Sequence, residues 1–208
     1  MVASTLSPDE PAVTICPEAL AELNALLAAA AASGDPEPSA MNLSSIDADG
    51  RPHSRIVLLK GVGADGLRFF TNYTSAKGRE LAANAHVALC LHWKQLREGV
   101  QVRVEGRVEQ LPAADSDAYF ATRPRGSQIG AWASLQSQTL PERGDFEARI
   151  AHYEAEFAGR DVPRPPHWGG YLVRPDLIEF WYGANFRLHE RQRYEWRDGA
   201  WQRRMLYP

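Results

Sequence analysis

Arg187, His189 and Arg191 alternate along a stretch that follows Phe180, Trp181 and Tyr182. Positions i, i+2 and i+4 of a strand point to one face. The spacing therefore predicts two guanidiniums around one imidazole. Such a row of like charge is costly unless an anion lies against it, so the stretch reads as a docking face for a negatively charged ligand. A second set is Phe70-Thr71-Asn72-Tyr73-Thr74-Ser75-Ala76-Lys77, a strand running into a hydroxyl-rich turn and a helix start. Free backbone N–H groups, hydroxyls and Lys77 at a helix N-terminus suit an anion, although plain N-capping uses the same residue types. Arg55-Ile-Val-Leu-Leu-Lys60 reads as a buried strand with a cation near each end. A phosphate would make sense of both segments, with Arg55 and Lys77 as its counter-charges.

Tyr119 and Arg123 form a third set, one helical turn apart and so on one face. Pro124 stops that helix, Gly126 allows a sharp turn, and Ser127 is expected to cap the next helix. The three side chains could converge on a second phosphate; a helix-loop-helix corner with solvated arginines accounts for them equally well. Gln136 and Ser137 carry groups suited to the hydrogen-bonding edge of a heterocycle.

Other chemistries are disfavoured. His53, His86, His92, His152 and His167 show no metal-ligand spacing, so no metal is expected. There is no GxSxG elbow and no GxGxxG loop, which argues against a nucleophilic hydrolase and a Rossmann fold. The net charge of −3 is wrong for a general nucleic-acid binder. Cys16 and Cys90 form no disulfide framework. The alanine-rich run at 26–32 is too short to span a bilayer, and the N-terminus lacks a leader pattern. A cytoplasmic protein is expected.

These residues need elements to position them. A loose Ser/Pro/acidic tail is expected over residues 1–15, followed by a single domain over 16–208. Pro17 opens a helix to about Ala32. Strands are expected at Met41–Ile46, His53–Lys60 and Leu67–Tyr73, with Asp49–Gly50 as a hairpin turn and a loop at 61–66. A helix from Ser75 to Asn84, capped by Thr74 or Ser75, precedes strands His86–Trp93 and Val100–Leu111. Helices follow near Ala113–Thr122, Ser127–Ser134 and Phe146–Phe157, then a proline-rich loop. The last strands are expected at Gly170–Val173, Ile178–Tyr182, Phe186–Trp196 and Trp201–Leu206, with a turn at Asp198–Gly199. Hairpins with helices gathered between and beside them suggest an α+β protein built on an antiparallel barrel.

The ordered series RIVLLK (55–60), FFTN (69–72), QVRVEG (101–106), YFATRPRGSQIGAWASLQS (119–137), WGGY (168–171), IEFW (178–181) and RLHER (187–191) resembles the pyridoxine/pyridoxamine 5′-phosphate oxidases. The likeness runs from about Glu37 to Pro208. It implies an FMN-binding split barrel with surrounding helices, a homodimer, and active sites at the dimer interface. It further implies that Arg55 and Lys77 hold the FMN phosphate. Ile56, Val57, Leu58, Leu59, Lys60, Phe70 and Thr71 would line the flavin. Gln101, Gln136, Ser137, Trp181 and Arg191 would complete that site, some from the partner. Lys60, Tyr119, Arg123 and Ser127 would bind the substrate phosphate. Arg187 and His189 would bracket the pyridine ring as the catalytic pair. The implied reaction oxidises pyridoxine or pyridoxamine 5′-phosphate to pyridoxal 5′-phosphate, with dioxygen reduced to hydrogen peroxide.

The chain departs from that pattern in three places. Ala76 stands where the resemblance implies an arginine on the FMN phosphate, and Arg79, one turn on, could replace it. Trp93–Gln101 is two residues longer than the pattern. The N-terminal stretch lacks the arginine-plus-tyrosine element that closes over substrate in some members. Two alternatives remain at this level: a split-barrel flavin oxidase acting on another reduced heterocycle of the phenazine type, and a flavin- or pyridoxal-phosphate-binding protein without turnover.

Overall fold

The computed structural model describes residues 13–208. The expected tail falls mostly outside them. Of its last three positions, Ile15 is buried, and its N–H donates to the Ala64 carbonyl at 2.7 Å. Helix α1 (Pro17–Ala32) starts on Pro17. It buries Ala19, Leu23, Leu26 and Ala30, a three-to-four-residue spacing that gives one apolar stripe.

The sheet is antiparallel throughout. Strand β1 (Ala40–Ile46) pairs with β2 (Pro52–Leu58) across a turn in which Asp47 accepts from the N–H groups of Asp49 and Arg51. A short β3 (Gly61–Gly63), where a loop was expected, pairs with β4 (Gly66–Asn72). Helix α2 (Ala76–Ala83) is capped by Ser75, whose hydroxyl accepts from the Gly78 N–H. Strands β5 (His86–Trp93) and β6 (Val100–Gln110) form the next hairpin. Three helices follow: α3 (Ala113–Ala121), α4 (Arg125–Ala133) and α5 (Arg143–Glu156). The last two start earlier than expected; Pro124 is the N-cap of α4, so Ser127 lies inside that helix rather than capping it.

The long strand β7 (Trp168–Tyr182) organises the rest. One edge pairs with β6 along its length. The other edge pairs with β4 in its first part and with β8 (Glu190–Arg197) in its second. β9 (Ala200–Leu206) closes against β8 through the expected Asp198–Gly199 turn, both residues having positive φ. Two strands, Gly170–Val173 and Ile178–Tyr182, were expected where β7 runs continuously through Pro175. The register shifts between Glu105 and Gly106 opposite Pro175, and this bulge absorbs the proline. A Cβ on Gly106 would lie 2.1 Å from the Arg174 carbonyl, so the bulge requires glycine there.

The sheet order is β2-β1-β5-β6-β7-β4-β3, and it curls until β2 touches β4. Alternating residues of β1, β5, β6 and β7 fill the main core together with α1. A second cluster of Phe120, Ile129, Phe157, Val162 and Trp168 lies under α3, α4 and α5. The α+β barrel expectation holds, and the gap between β2, β4 and α4 becomes a cavity.

Candidate active site

A cavity of about 470 Å³ opens where β2, β4, α2, α3 and α4 converge. Ile56, Val57, Leu58 and Lys60 border it from one side, and Phe70, Thr71 and Lys77 from another. Tyr119, Arg123, Ser127 and Gln136 close it. Residues far apart in sequence, from four separately read stretches, are therefore brought to one place.

One wall is aromatic. Phe70 stacks on Tyr119 with centroids 3.8 Å apart and rings 16° from parallel, and Trp168 lies near-parallel at 5.6 Å from Phe70. In the sequence Trp168 stands only as part of the WGGY series, with no role of its own. The signal for its role is the glycine pair after it: a Cβ on Gly169 would strike the Tyr73 hydroxyl at 2.0 Å, and one on Gly170 would strike Phe70 at 2.7 Å. Those glycines let the aromatic residues close up.

Two cations sit in the cavity under electrostatic strain. The Arg123 guanidinium lies 4.6 Å over the Trp168 ring and 5.5 Å over Phe120. Its Nη1 is buried with no hydrogen-bond partner. Burial pushes Arg123 below the ordinary arginine range, and burial raises Tyr119 beside it. An unpaired buried donor on a cation is expensive, and an anion in the cavity would satisfy it. Lys77 donates to Gln136 Oε1 at 2.9 Å and to Thr71 Oγ1 at 3.3 Å. Burial lowers its pKa, and nearby Arg55 pushes the same way, partly opposed by Glu80.

Arg55 itself does not border the cavity. It donates to the Leu43 carbonyl, Ser45 and the buried carboxylate of Glu80. Burial alone would raise the Glu80 carboxyl, but the hydrogen bonds from Ser45 and Arg55 hold it below the usual range. Neither Ser45 nor Glu80 was singled out by sequence, because the contact joins β1, β2 and α2. Leu59 is packed in the core, and its side chain does not reach the cavity. Ser137, with φ 71°, borders a neighbouring hollow with Gln136. Arg79 is exposed and donates to the Thr74 carbonyl at 2.6 Å, at the start of α2.

The remaining candidates form a second group on a different surface. Gln101, Trp181 and Arg191 face one another in register across β6, β7 and β8. The His189 ring lies on Trp181 with centroids 4.5 Å apart. The expected alternating row of Arg187, His189 and Arg191 is not there. β8 begins only at Glu190, and Asn185–Arg187 forms a single 3-10 turn in which Phe186 and Arg187 have φ of 57° and 62°. Left-handed residues cannot continue an extended repeat. The cationic pair on the strand is Arg191 and Arg193, and its counter-anion is internal. Glu179 on β7 receives Arg191 through Oε1 at 2.8 Å and Arg193 through Oε2 at 2.6 Å.

Among the described residues, no hydrogen bond, ring pair or cavity joins this second group to the first. Around it Phe186, Leu188 and Met205 are exposed, as Ile56 is beside the cavity. No cluster of potential metal ligands occurs among the described residues. No described helix is long and apolar enough to cross a membrane.

Comparison with known proteins bears on both groups. Residues 26–156 match the family model described as pyridoxamine 5′-phosphate oxidase, and residues 168–208 match the pyridoxine 5′-phosphate oxidase C-terminal dimerisation region. The chain is 57% identical over 194 residues to a pyridoxine/pyridoxamine 5′-phosphate oxidase of Xanthomonas euvesicatoria pv. vesicatoria, covering 92% of this chain and 97% of that one. A Myxococcus xanthus protein of the same description is 54% identical over 172 residues, 83% of this chain and 82% of that one. Among solved structures, PhzG from Burkholderia lata in complex with tetrahydrophenazine-1-carboxylic acid superposes with a TM-score of 0.86 at 31% identity, covering 99% and 98% of the two chains. A pyridoxamine 5′-phosphate oxidase-related, FMN-binding protein of Nostoc punctiforme shares the fold, with a TM-score of 0.68 at 17% identity over 98% and 99% of the chains.

Proposed function

The chain belongs to the pyridoxamine 5′-phosphate oxidase family, and from that premise we propose how its residues oxidise pyridoxine 5′-phosphate and pyridoxamine 5′-phosphate to pyridoxal 5′-phosphate. The observation that carries the reading is the buried, unpartnered Nη1 of Arg123 in a cavity that also holds Lys60, Tyr119 and Ser127. A guanidinium, an ammonium and two hydroxyls suit a phosphate monoester dianion.

The donor set fits FMN as well. Lys77, backed by Arg55, would hold the flavin phosphate, with Thr71 and Gln136 already hydrogen-bonded to Lys77. Ile56, Val57, Leu58 and Phe70 would lie along the flavin, and Ser137 would reach its polar edge. When bound, FMN supplies the two-electron acceptor that takes a hydride from the substrate C4′ and is reoxidised by dioxygen, giving hydrogen peroxide. The protein's part is to bind and orient. Lys60, Tyr119, Arg123 and Ser127 would fix the substrate phosphate, and the aromatic wall would exclude water.

The matched C-terminal dimerisation region supports a homodimer. Gln101, Trp181, Arg187, His189 and Arg191 lie outside the cavity of their own chain. In our reading they complete the cavity of the partner subunit, and the exposed Ile56, Phe186 and Leu188 are covered there. A cytoplasmic location fits this chemistry.

The test is direct. The purified protein is expected to show a yellow flavin spectrum and, with pyridoxine 5′-phosphate in air, to form pyridoxal 5′-phosphate and peroxide. A flavoprotein that oxidises only a reduced phenazine precursor would instead support the PhzG-like alternative. A second expectation concerns the Ala76 departure. Arg79→Ala should weaken FMN binding about tenfold in a calorimetric titration, the equivalent of one charge-assisted hydrogen bond. An unchanged affinity removes Arg79 from the phosphate site.

A further inference from the structure

We propose that Trp168 positions Arg123 for the substrate phosphate: its indole face stands in for a counter-anion and leaves the in-plane N–H groups of the guanidinium free. This rests on the reading of Arg123 as a ligand of that phosphate. The central carbon of the guanidinium lies 4.6 Å from the centre of the Trp168 ring. Among the described residues no ion pair includes Arg123, whereas the part-buried Arg55, Arg164, Arg191 and Arg193 each hold a carboxylate. A carboxylate would occupy the same N–H fork that a phosphate needs. An aromatic face attracts the cation from above its plane through the ring quadrupole, and indole does so best. The cation is thus held while its buried Nη1 keeps no hydrogen-bond partner.

The fold fixes the indole independently of Arg123. Trp168 opens β7 opposite Asn72 of β4, and its N–H donates to the Pro165 carbonyl at 3.1 Å. Its carbonyl accepts from Arg164 Nη1 at 2.6 Å, and Arg164 Nε donates to Asp117 of α3 at 2.6 Å. Arg164 thereby ties the tryptophan to the helix that carries Tyr119 and leads into Arg123. The indole lies 5° from parallel with Tyr119 at 6.3 Å and meets Phe120 edge-on at 5.1 Å. On the arginine's side, the Arg123 N–H donates to the Phe120 carbonyl at 3.1 Å, so backbone and guanidinium are both held. A cation placed in advance loses less freedom when the phosphate arrives. Without the indole, the remaining aromatic face among the described residues is Phe120 at 5.5 Å, a weaker partner.

The experiment is a double-mutant cycle in the FMN-loaded enzyme, pairing Trp168→Leu with Arg123→Ala. Trp168→Leu should raise both the KM for pyridoxine 5′-phosphate and the inhibition constant of inorganic phosphate about tenfold, with kcat and FMN affinity unchanged. Binding of pyridoxine, which lacks the phosphate, should not change. Trp168→Phe keeps an aromatic face and should raise KM only about twofold. In the Arg123→Ala background, Trp168→Leu should add less than about twofold, because the two residues act as a pair. Additive losses, or a loss of pyridoxine binding equal to the loss of phosphate binding, would mean that Trp168 only shapes the cavity, and overturn the proposal. An unchanged KM in Trp168→Leu beside a raised one in Arg123→Ala also overturns it and leaves the reading of Arg123 standing. If Arg123→Ala itself leaves KM unchanged, the reading and the proposal fall together. Should Trp168→Leu not fold, the same cycle with Trp168→Phe decides, and an unchanged KM there counts against the proposal.

Discussion

Arg123→Ala should raise KM for pyridoxine 5′-phosphate about a hundredfold, with FMN affinity unchanged. A guanidinium held over Trp168 presents a fork of donors, and each charge-assisted hydrogen bond to a phosphate contributes about 1.5–3 kcal/mol. Losing two such bonds at the lower figure is worth about 3 kcal/mol, or a factor of about 100. The effect on folding should be small. Nη1 is buried without a hydrogen-bond partner in the structure, so removing the group also removes an unmet desolvation cost. Arg123→Lys should recover little, because an ammonium cannot reproduce the planar fork. Steady-state kinetics, FMN titration and thermal melting together check this. An unchanged KM would falsify the assignment of Arg123 to the substrate phosphate.

The second large effect is on stability. Glu179 is 2% exposed and is the shared anion for Arg191 and Arg193, with Arg103 at 3.9 Å. Glu179→Ala leaves Arg191 and Arg193 without their counter-charge. Breaking a buried pair by removing one partner costs about 3–5 kcal/mol, a drop in Tm of about 10 °C for a chain this size. Burial alone would raise the Glu179 carboxyl, but the hydrogen bonds from Arg193 and Arg191 outweigh it and hold it below the usual carboxylate range. A carboxylate depressed on folding contributes stability that is present above its unfolded pKa and lost as pH falls through the folded one. Wild-type stability should therefore decline as the pH falls through and below the usual carboxylate range, and Glu179→Gln should flatten that decline. Thermal melts across that range decide it; a glutamine variant with the wild-type slope would show that other carboxylates carry the acid sensitivity.

What the sequence made legible was local. The period-two burial of β1, β5 and β6, the glycine turns at Gly50 and Gly199, and the Ser75 cap all follow from neighbours in the chain. Tyr119, Arg123, Lys60 and Lys77 were recognisable as anion-binding types, and the fold brings them to one cavity. Contacts that cross elements were not legible. The Arg55–Glu80–Ser45 network needs β1, β2 and α2 assembled, and the Glu179 clamp needs β7 against β8. Nor does sequence alone reveal left-handed conformations at Phe186 and Arg187. Neither residue is a glycine or asparagine, so the spacing of Arg187, His189 and Arg191 reads as a strand. The continuity of β7 through Pro175 was not legible either, because the bulge opposite it depends on Gly106 of another strand.

The continuity of β7 also sets a timetable for synthesis. β4 finds its partner only across a long intervening stretch that holds α2, β5, β6 and three further helices. Loop closure over such a distance is slow and makes for high contact order. As the chain leaves the ribosome, the hairpins β1–β2 and β5–β6 are complete early, while β4 waits with one edge bare. The cavity walls draw together only once Trp168–Asn72 and the pairs beyond it zip up, and the Gln101–Trp181–Arg191 row follows with β8. A chain stalled before β7 would expose that edge, which invites strand-to-strand aggregation. Free FMN supplied during expression would act only after that last pairing, by drawing the finished fold forward rather than by guiding it.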